Sequence, residues 1–459
     1  MTLGCAKLDK QVADWLAWDK NDKNRNEIQK LVDEKNVDAL KARMDTRLVF
    51  GTAGVRSPMQ AGFGRLNDLT IIQITHGFAR HMLNVYGQPK NGVAIGFDGR
   101  YNSRRFAELS ANVFVRNNIP VYLFSEVSPT PVVSWATIKL GCDAGLIITA
   151  SHNPKEDNGY KAYWSNGAQI IGPHDTEIVR IKEAEPQPRD EYWDLSELKS
   201  SPLFHSADVV IDPYFEVEKS LNFTREINGS TPLKFTYSAF HGIGYHYTKR
   251  MFAEFGFPAS SFISVAEQQD PNPDFPTIPF PNPEEGRKVL TLAMETADKN
   301  GSTVILANDP DADRIQMAEK QKELQKRDHP DRIQMDGKSS RGAPCRWKSG
   351  HSGVGRIDRI HARAYHGQGR RVRCRSFRRN RRFPSRGGKI VARPAVRSLQ
   401  SIWLPFGQIH LLDGTGSGGH QEALQHIESR SEVPDENRRS RSGIRERLDD
   451  RIRQLKARQ

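Results

Sequence analysis

At 459 residues and a mean hydropathy of −0.65, the chain is long enough for about three or four domains; its apolar runs are strand-sized, too short for a membrane helix, and its charged first residues lack the apolar core expected of a signal peptide. Cys5, Cys142, Cys345 and Cys374 are scattered without a CxxC pair, which excludes a disulfide framework and fits a reducing, cytoplasmic compartment. The net charge of +13 is uneven: residues 319–459 hold 34 Lys and Arg against 15 Asp and Glu, a net of +19, whereas residues 1–318 hold 34 and 40, a net of −6. A jump of that size marks a boundary, so the basic character describes the tail and not the part before it.

Residues 8–46 place Val12, Leu16, Ile28, Leu31, Val32 and Leu40 at helical spacing and predict short surface helices. Arg47 to Phe50 reads as a short strand entering a Gly51-Thr52-Ala53-Gly54 turn, with Arg56 beyond it. Paired glycines let backbone N–H groups approach an anion, and arginine can bind phosphate through two nitrogens. A plain hairpin turn with a solvated arginine would have the same text. Residues 68–86 predict a helix with Asp68 near its start. A strand over Val93–Asp98 leads through Gly99-Arg100 to a helix opened by Ser103-Arg104-Arg105, a corner suited to phosphate. Strand Val121–Phe124 and a helix begun by Ser128-Pro129-Thr130-Pro131 follow, then a buried strand, Ala144–Ile148. That strand stops at Ser151-His152-Asn153-Pro154. A serine held there lies at the sheet end where open α/β sheets do their chemistry; an ordinary strand-ending turn is the alternative.

Residues 185–212 read as a domain edge, and a second α/β unit begins near Pro213. Its expected strands are Leu233–Ala239, Phe262–Val265 and Thr303–Ala307, with helices around 246–255 and 284–299. The proline-rich stretch QQDPNPDFPTIPFPNPEE (268–285) is stiff and suits packing between domains better than catalysis. The last strand runs into Asp309-Pro310-Asp311-Ala312-Asp313-Arg314. Aspartates at i, i+2 and i+4 in a turn can converge on a hard cation. The glycine and distal glutamate of a calcium loop are missing, yet three close carboxylates repel one another, and a bound cation relieves that. Alternating strands and helices make the fold class α/β, with mixed sheets flanked by helices.

TASHNP (149–154), NGYK (158–161), FGTAGVR (50–56), FDGR (97–100) and DPDADR (309–314) together resemble the signature set of the α-D-phosphohexomutases. DWLAWDKN (14–21), IPVYLFSEVSPTP (119–131) and DPNPDFPTIPFPNPEEG (270–286) are similar to the phosphoglucomutase-2/phosphopentomutase branch, over about residues 10–320. The resemblance implies phosphohexomutase domain I over 1–205, domain II over 206–318, and interconversion of sugar 1-phosphates with 5- or 6-phosphates through a phosphoserine and a bisphosphorylated intermediate. Ser151 would carry the phosphate, with His152 and Lys161 as catalytic partners. Arg56, Thr52, Arg100 and Arg314 would bind substrate or phosphate. Ser151, Asp309, Asp311 and Asp313 would hold one Mg²⁺ ion per site, with a sugar bisphosphate as primer. The implied partners are phosphosugars, with no membrane and no nucleic acid, and the implied state is a monomer.

After Ala318 the resemblance stops. DRIQM occurs twice, at 313–317 and 331–335, a local duplication that fits an altered reading frame. Neither a sugar-selecting domain nor an RxSGTEP-like phosphate clamp is legible in 319–459, which is expected to be a basic, poorly ordered tail. An incomplete, nearly inactive mutase is therefore the alternative function, and a nucleic-acid-associated protein acting through the arginine-rich run at 369–386 a remote one. Gly414–His420 reads as a chance glycine-rich string, and Ile444, Leu448, Ile452 and Leu455 mark one helical stripe.

Overall fold

The computed structural model describes residues 3–51, 54–222 and 225–321 and the backbone of 346–349. Thr52, the run at 369–386, the Gly414–His420 string and the stripe of Ile444 to Leu455 lie outside the described residues. Three helices open the chain: α1 (Ala6–Trp18), α2 (Asp22–Asp33) and α3 (Val37–Met44). Asn21 and Asn36 cap α2 and α3, each side chain accepting from amides of the turn that follows. Leu8, Val12, Trp15, Ile28, Val32, Leu40 and Met44 then form a small core closed by Phe63 and Leu69.

The first α/β unit contains β1 (Val55–Pro58), α4 (Asp68–Tyr86), β2 (Val93–Phe97), α5 (Ser103–Arg116), β3 (Val121–Leu123), α6 (Thr130–Lys139), β4 (Ala144–Ile148), β5 (Asp157–Trp164), α7 (His174–Ala184) and β6 (Phe204–Ser206). Its sheet runs β1-β5-β4-β2-β3-β6. β2 pairs in parallel with β3 and β4, and β3 with β6, while β5 is antiparallel to both β1 and β4. The pleat sorts the core. Val93, Ile95 and Phe97 pack with residues of α4, α5 and α7, whereas Ala94 faces the core that holds Val132, Val133 and Trp135 of α6. Asn67 and Thr70 close a capping box at the start of α4, so the cap is the residue before Asp68.

The strand expected over 47–50 does not form. Gly51 and Gly54 exchange backbone hydrogen bonds of 3.0 and 3.1 Å, and the strand follows them as β1. Lys182 of α7 donates to the Leu48 carbonyl at 2.7 Å, and the Arg47 guanidinium lies over the Phe63 ring at 4.3 Å. These contacts hold the apolar run outside the sheet.

The second unit comprises α8 (Ile211–Ser220), α9 (Arg225–Gly229), β7 (Phe235–Ser238), α10 (Gly244–Glu254), β8 (Phe262–Ser264), α11 (Thr291–Asn300), β9 (Val304–Asn308), β10 (Ile315–Gln321) and β11 (Arg346–Ser349), with sheet order β11-β10-β9-β7-β8. The helix expected over 284–299 is split. Pro283–Lys288 is a 3₁₀ segment broken at Gly286 (φ 69°), and α11 follows. β10 runs to Gln321, past Ala318, and pairs antiparallel with β11. The sheet thus continues into the segment expected to be poorly ordered, because backbone pairing along β10 needs no family sequence. Among the described residues, no helix is long and apolar enough to cross a membrane.

Candidate active site and cation-binding loop

Two all-buried strands, β4 and β9, each end in a polar loop, and the two loops meet. Ser151 adopts φ 54°, a left-handed conformation that non-glycine residues rarely take. Its N–H donates to Thr149 Oγ1 at 2.9 Å, and its Oγ donates to Asp309 Oδ2 at 2.6 Å. His152 Nδ1 lies 3.3 Å from the same Oγ. Burial first, then the nearby Arg314 and Arg56 charges, lower the His152 pKa to about 4.

Asn308 fixes the second loop at both ends: its Oδ1 accepts from Tyr237 Oη at 2.9 Å, and its Nδ2 donates to the Arg314 carbonyl at 2.6 Å. Asp309, Asp311 and Asp313 are all buried, and each brings a carboxylate oxygen within 4.8 Å of the others'. Lys161, carried by β5, donates to Asp311 Oδ2 at 2.6 Å and to Asp313 Oδ2 at 2.8 Å. Thr130, the first residue of α6, adds its hydroxyl to Asp311 Oδ2 at 2.8 Å and its N–H to the Asp311 carbonyl at 3.1 Å. Burial, and then the neighbouring carboxylates, push Asp309 well above the usual carboxylate range. Burial acts the same way on Asp311, but the Lys161 ammonium and the hydrogen bonds from its neighbours outweigh it and hold that group low.

A cation fits this donor set. Asp311 Oδ1 and Asp313 Oδ1 are buried without a hydrogen-bond partner, a costly state for a carboxylate oxygen that a metal ion would relieve. The Lys161 ammonium already brings positive charge to the other oxygen of each of these two carboxylates.

The structure thus brings together Ser151, His152, Lys161, Asp309, Asp311 and Asp313. Lys161 contacts the acidic loop. Arg56 donates to Asn153 Oδ1 at 3.0 Å, and its Nε is buried without a partner. Arg314 pairs with Glu284 at 2.9 Å and keeps its Nε 4.0 Å from Asp309 and 3.9 Å from Asp313. Arg100 differs from expectation: its guanidinium turns inward onto backbone carbonyls of the serine loop. Sequence reasoning missed Thr130, Asn153, Glu284 and Phe280, whose ring stands edge-on to His152 at 6.3 Å. The Ser128-Pro129-Thr130-Pro131 helix start was the available signal for Thr130, since helix N-termini attract carboxylates.

Comparison with known proteins agrees with this geometry. The family model for phosphoglucomutase/phosphomannomutase, alpha/beta/alpha domain I, matches residues 47–189, and that for domain II matches residues 212–322. The chain is similar to a phosphopentomutase of Pongo abelii, 46% identical over 324 residues that make up 69% of this chain and 53% of the relative. It is also similar to a glucose 1,6-bisphosphate synthase of Homo sapiens (44% over 330 residues, 69% and 52%) and to a phosphoribomutase of Saccharomyces cerevisiae (39% over 325 residues, 67% and 51%). It spans about half the length of these relatives. With both domain models matched in order, and the serine and acidic loops supplied one by each, the chain belongs to the α-D-phosphohexomutase superfamily.

Proposed function

We propose that this chain is a phosphosugar mutase that interconverts sugar 1-phosphates with 5- or 6-phosphates and uses Ser151 as its phosphate carrier. The observation that carries the reading is the 2.6 Å contact between Ser151 Oγ and Asp309 Oδ2, made across 158 residues of sequence. In one half of the cycle a sugar hydroxyl attacks the phosphorus of phosphoserine; the new O–P bond forms as the Oγ–P bond breaks, and a sugar bisphosphate results. In the other half Ser151 Oγ attacks the second phosphate; the Oγ–P bond forms as the sugar O–P bond breaks, the sugar oxygen takes up a proton, and the serine proton leaves to a base, for which Asp309 Oδ2 and His152 Nδ1 are within reach. Ser151, Asp309, Asp311 and Asp313 would hold one Mg²⁺ ion, which when bound supplies charge neutralisation at the transferring phosphoryl group. Arg56 and Arg314 flank the loop with guanidinium groups suited to phosphate, and a sugar bisphosphate would prime the serine.

Names among the relatives favour a pentose phosphate or glucose phosphate substrate. A second reading, a chain that is phosphorylated on Ser151 but hardly turns over, has in its favour that the domain II match ends at residue 322. Assay of ribose 1-phosphate and glucose 1-phosphate conversion, with Mg²⁺ and glucose 1,6-bisphosphate, tests the first. Activity that falls by orders of magnitude in Ser151→Ala is expected, about 10³-fold or more for loss of a nucleophile. Wild-type rates equal to those of Ser151→Ala would refute it, and phosphorylated Ser151 without turnover would select the second reading.

A further inference from the structure

Arg100 follows β2 at a strand-to-helix corner, where a basic side chain would be free to meet an anion. Instead its side chain is 1% exposed. Nη1 donates to the Pro154 carbonyl at 2.7 Å and to that of Asp157 at 3.1 Å, while Nη2 donates to the carbonyls of Ser151 and of Asn153, the latter at 2.6 Å. Carbonyls from four residues of one loop therefore converge on a single guanidinium. Nε lies 3.3 Å from Asp98 Oδ2, and the other Asp98 oxygen is fixed by Ser103 Oγ at 2.6 Å and by the Arg100 N–H at 2.9 Å.

The second unit closes over this corner. The Phe275 ring centre is 4.9 Å from Arg100 Cζ. Pro271 packs against Gly99 so closely that a Cβ there would come within 2.8 Å of the proline Cβ. Asp274 accepts from Tyr101 Oη at 3.0 Å and from Lys155 Nζ at 3.1 Å, one contact to the Arg100 corner and one to the serine loop. Phe275 is 2% exposed, so the cap is seated.

A loop that turns with Ser151 at positive φ gathers its carbonyls on the inside, and buried carbonyls require donors. The planar five-donor fork of arginine can serve all four of them at once; the ammonium of lysine, with three donors on one nitrogen, cannot reach all four. With its nitrogens directed this way and an aromatic ring against it, the guanidinium presents no open edge to a phosphate.

We propose that Arg100 is a positioning residue, the inner mould of the 151–157 loop, and that the 271–275 stretch of the second unit locks this mould from outside. The proposal rests on Ser151 as the phosphate carrier, and its structural half can be tested without activity. Hydrogen–deuterium exchange of the full chain is compared for wild type, Arg100→Lys and Asp274→Asn. In Arg100→Lys the amides of 151–158 exchange about 10-fold faster or more, while β2 and β4 keep their protection. Asp274→Asn, a change at an exposed pair, produces a smaller acceleration in the same segment. The kinetic half is the rate at which glucose 1,6-bisphosphate phosphorylates Ser151. Misplacement of the serine lowers the maximal rate in Arg100→Lys about 100-fold, with the half-saturating donor concentration unchanged.

Unchanged exchange in both variants overturns the proposal, and so does a raised half-saturating concentration at an unchanged maximal rate, which is the signature of an anion-binding arginine. If Arg100→Lys does not fold, exchange in Asp274→Asn decides alone. If wild-type Ser151 takes no phosphate, the carrier reading fails, and exchange still decides whether Arg100 moulds the loop.

Discussion

Ser151 holds a left-handed backbone at φ 54° while burying its hydroxyl against a carboxylate. Glycine adopts that conformation without strain and alanine does not. Ser151→Gly is therefore expected to melt at or above Ser151→Ala, by the equivalent of about 1 kcal/mol; the reverse order in thermal melts would show that the loop relaxes when the hydroxyl is lost. Glu218 gives a second test at this scale. It sits on α8, which packs on α6 and α10, and its Oε2 is buried without a partner. Burial pushes its carboxyl up to about 8 from 4.5. Below 4.5 both folded and unfolded chains hold the proton. Between the two values only the folded chain does, so stability falls as pH rises, by up to about 1.4 kcal/mol per pH unit. Glu218→Gln should flatten that slope, as read from urea unfolding at pH 5 and pH 8; parallel wild-type and variant curves would show that the carboxyl is solvated. The serine and the aspartates were legible in sequence because each motif is short and contiguous. Thr130 was not, because its partner Asp311 lies 181 residues away. Arg100 was legible as a basic corner, but its direction is set by a loop that sequence does not orient.

Strand β5 shows what element-scale reading loses. Gly159 to Tyr163 are buried without alternation, so no period-two signal announces the strand that places Lys161. Such runs mark strands covered on both faces, and periodicity alone does not separate them from buried helix segments. The 47–50 run erred in the other direction: its apolar residues look like a strand, but Lys182 and Phe63 hold them outside the sheet. Helix α4 crosses α7 at Gly77, where a Cβ would lie 2.5 Å from the Ile178 carbonyl. Helix propensity alone would make Gly77→Ala stabilising by about 1 kcal/mol. Packing predicts a loss of about 1–3 kcal/mol instead, and chemical denaturation gives the sign. A more stable Gly77→Ala would mean that the two helices can separate without cost.

Across the whole molecule, the two α/β units share one apolar cluster, in which Ala94 and Ile147 of the first sheet and Tyr237 and Leu306 of the second are both found. Above it the serine loop comes from one unit and the acidic loop from the other. Class, the main strands and helices in chain order and the polar loops followed from sequence, as did the packing of the 268–285 stretch between the units; the individual contacts did not, because they pair Thr130, Asp274 and Phe275 with residues remote in the chain. The buried oxygens of Asp311 and Asp313 that lack a hydrogen bond predict that Mg²⁺ raises the melting temperature of the wild type, as binding to the folded state must, and that Asp311→Ala removes the shift. The same shift in both proteins would place the ion elsewhere. Whether Ser151 carries phosphate against the acidic loop is read by phosphosite mapping with mass spectrometry after incubation with glucose 1,6-bisphosphate and Mg²⁺. A single phosphate on Ser151, lost in Asp309→Ala, is the predicted result; an unmodified Ser151, or phosphate confined to another residue, would contradict the account.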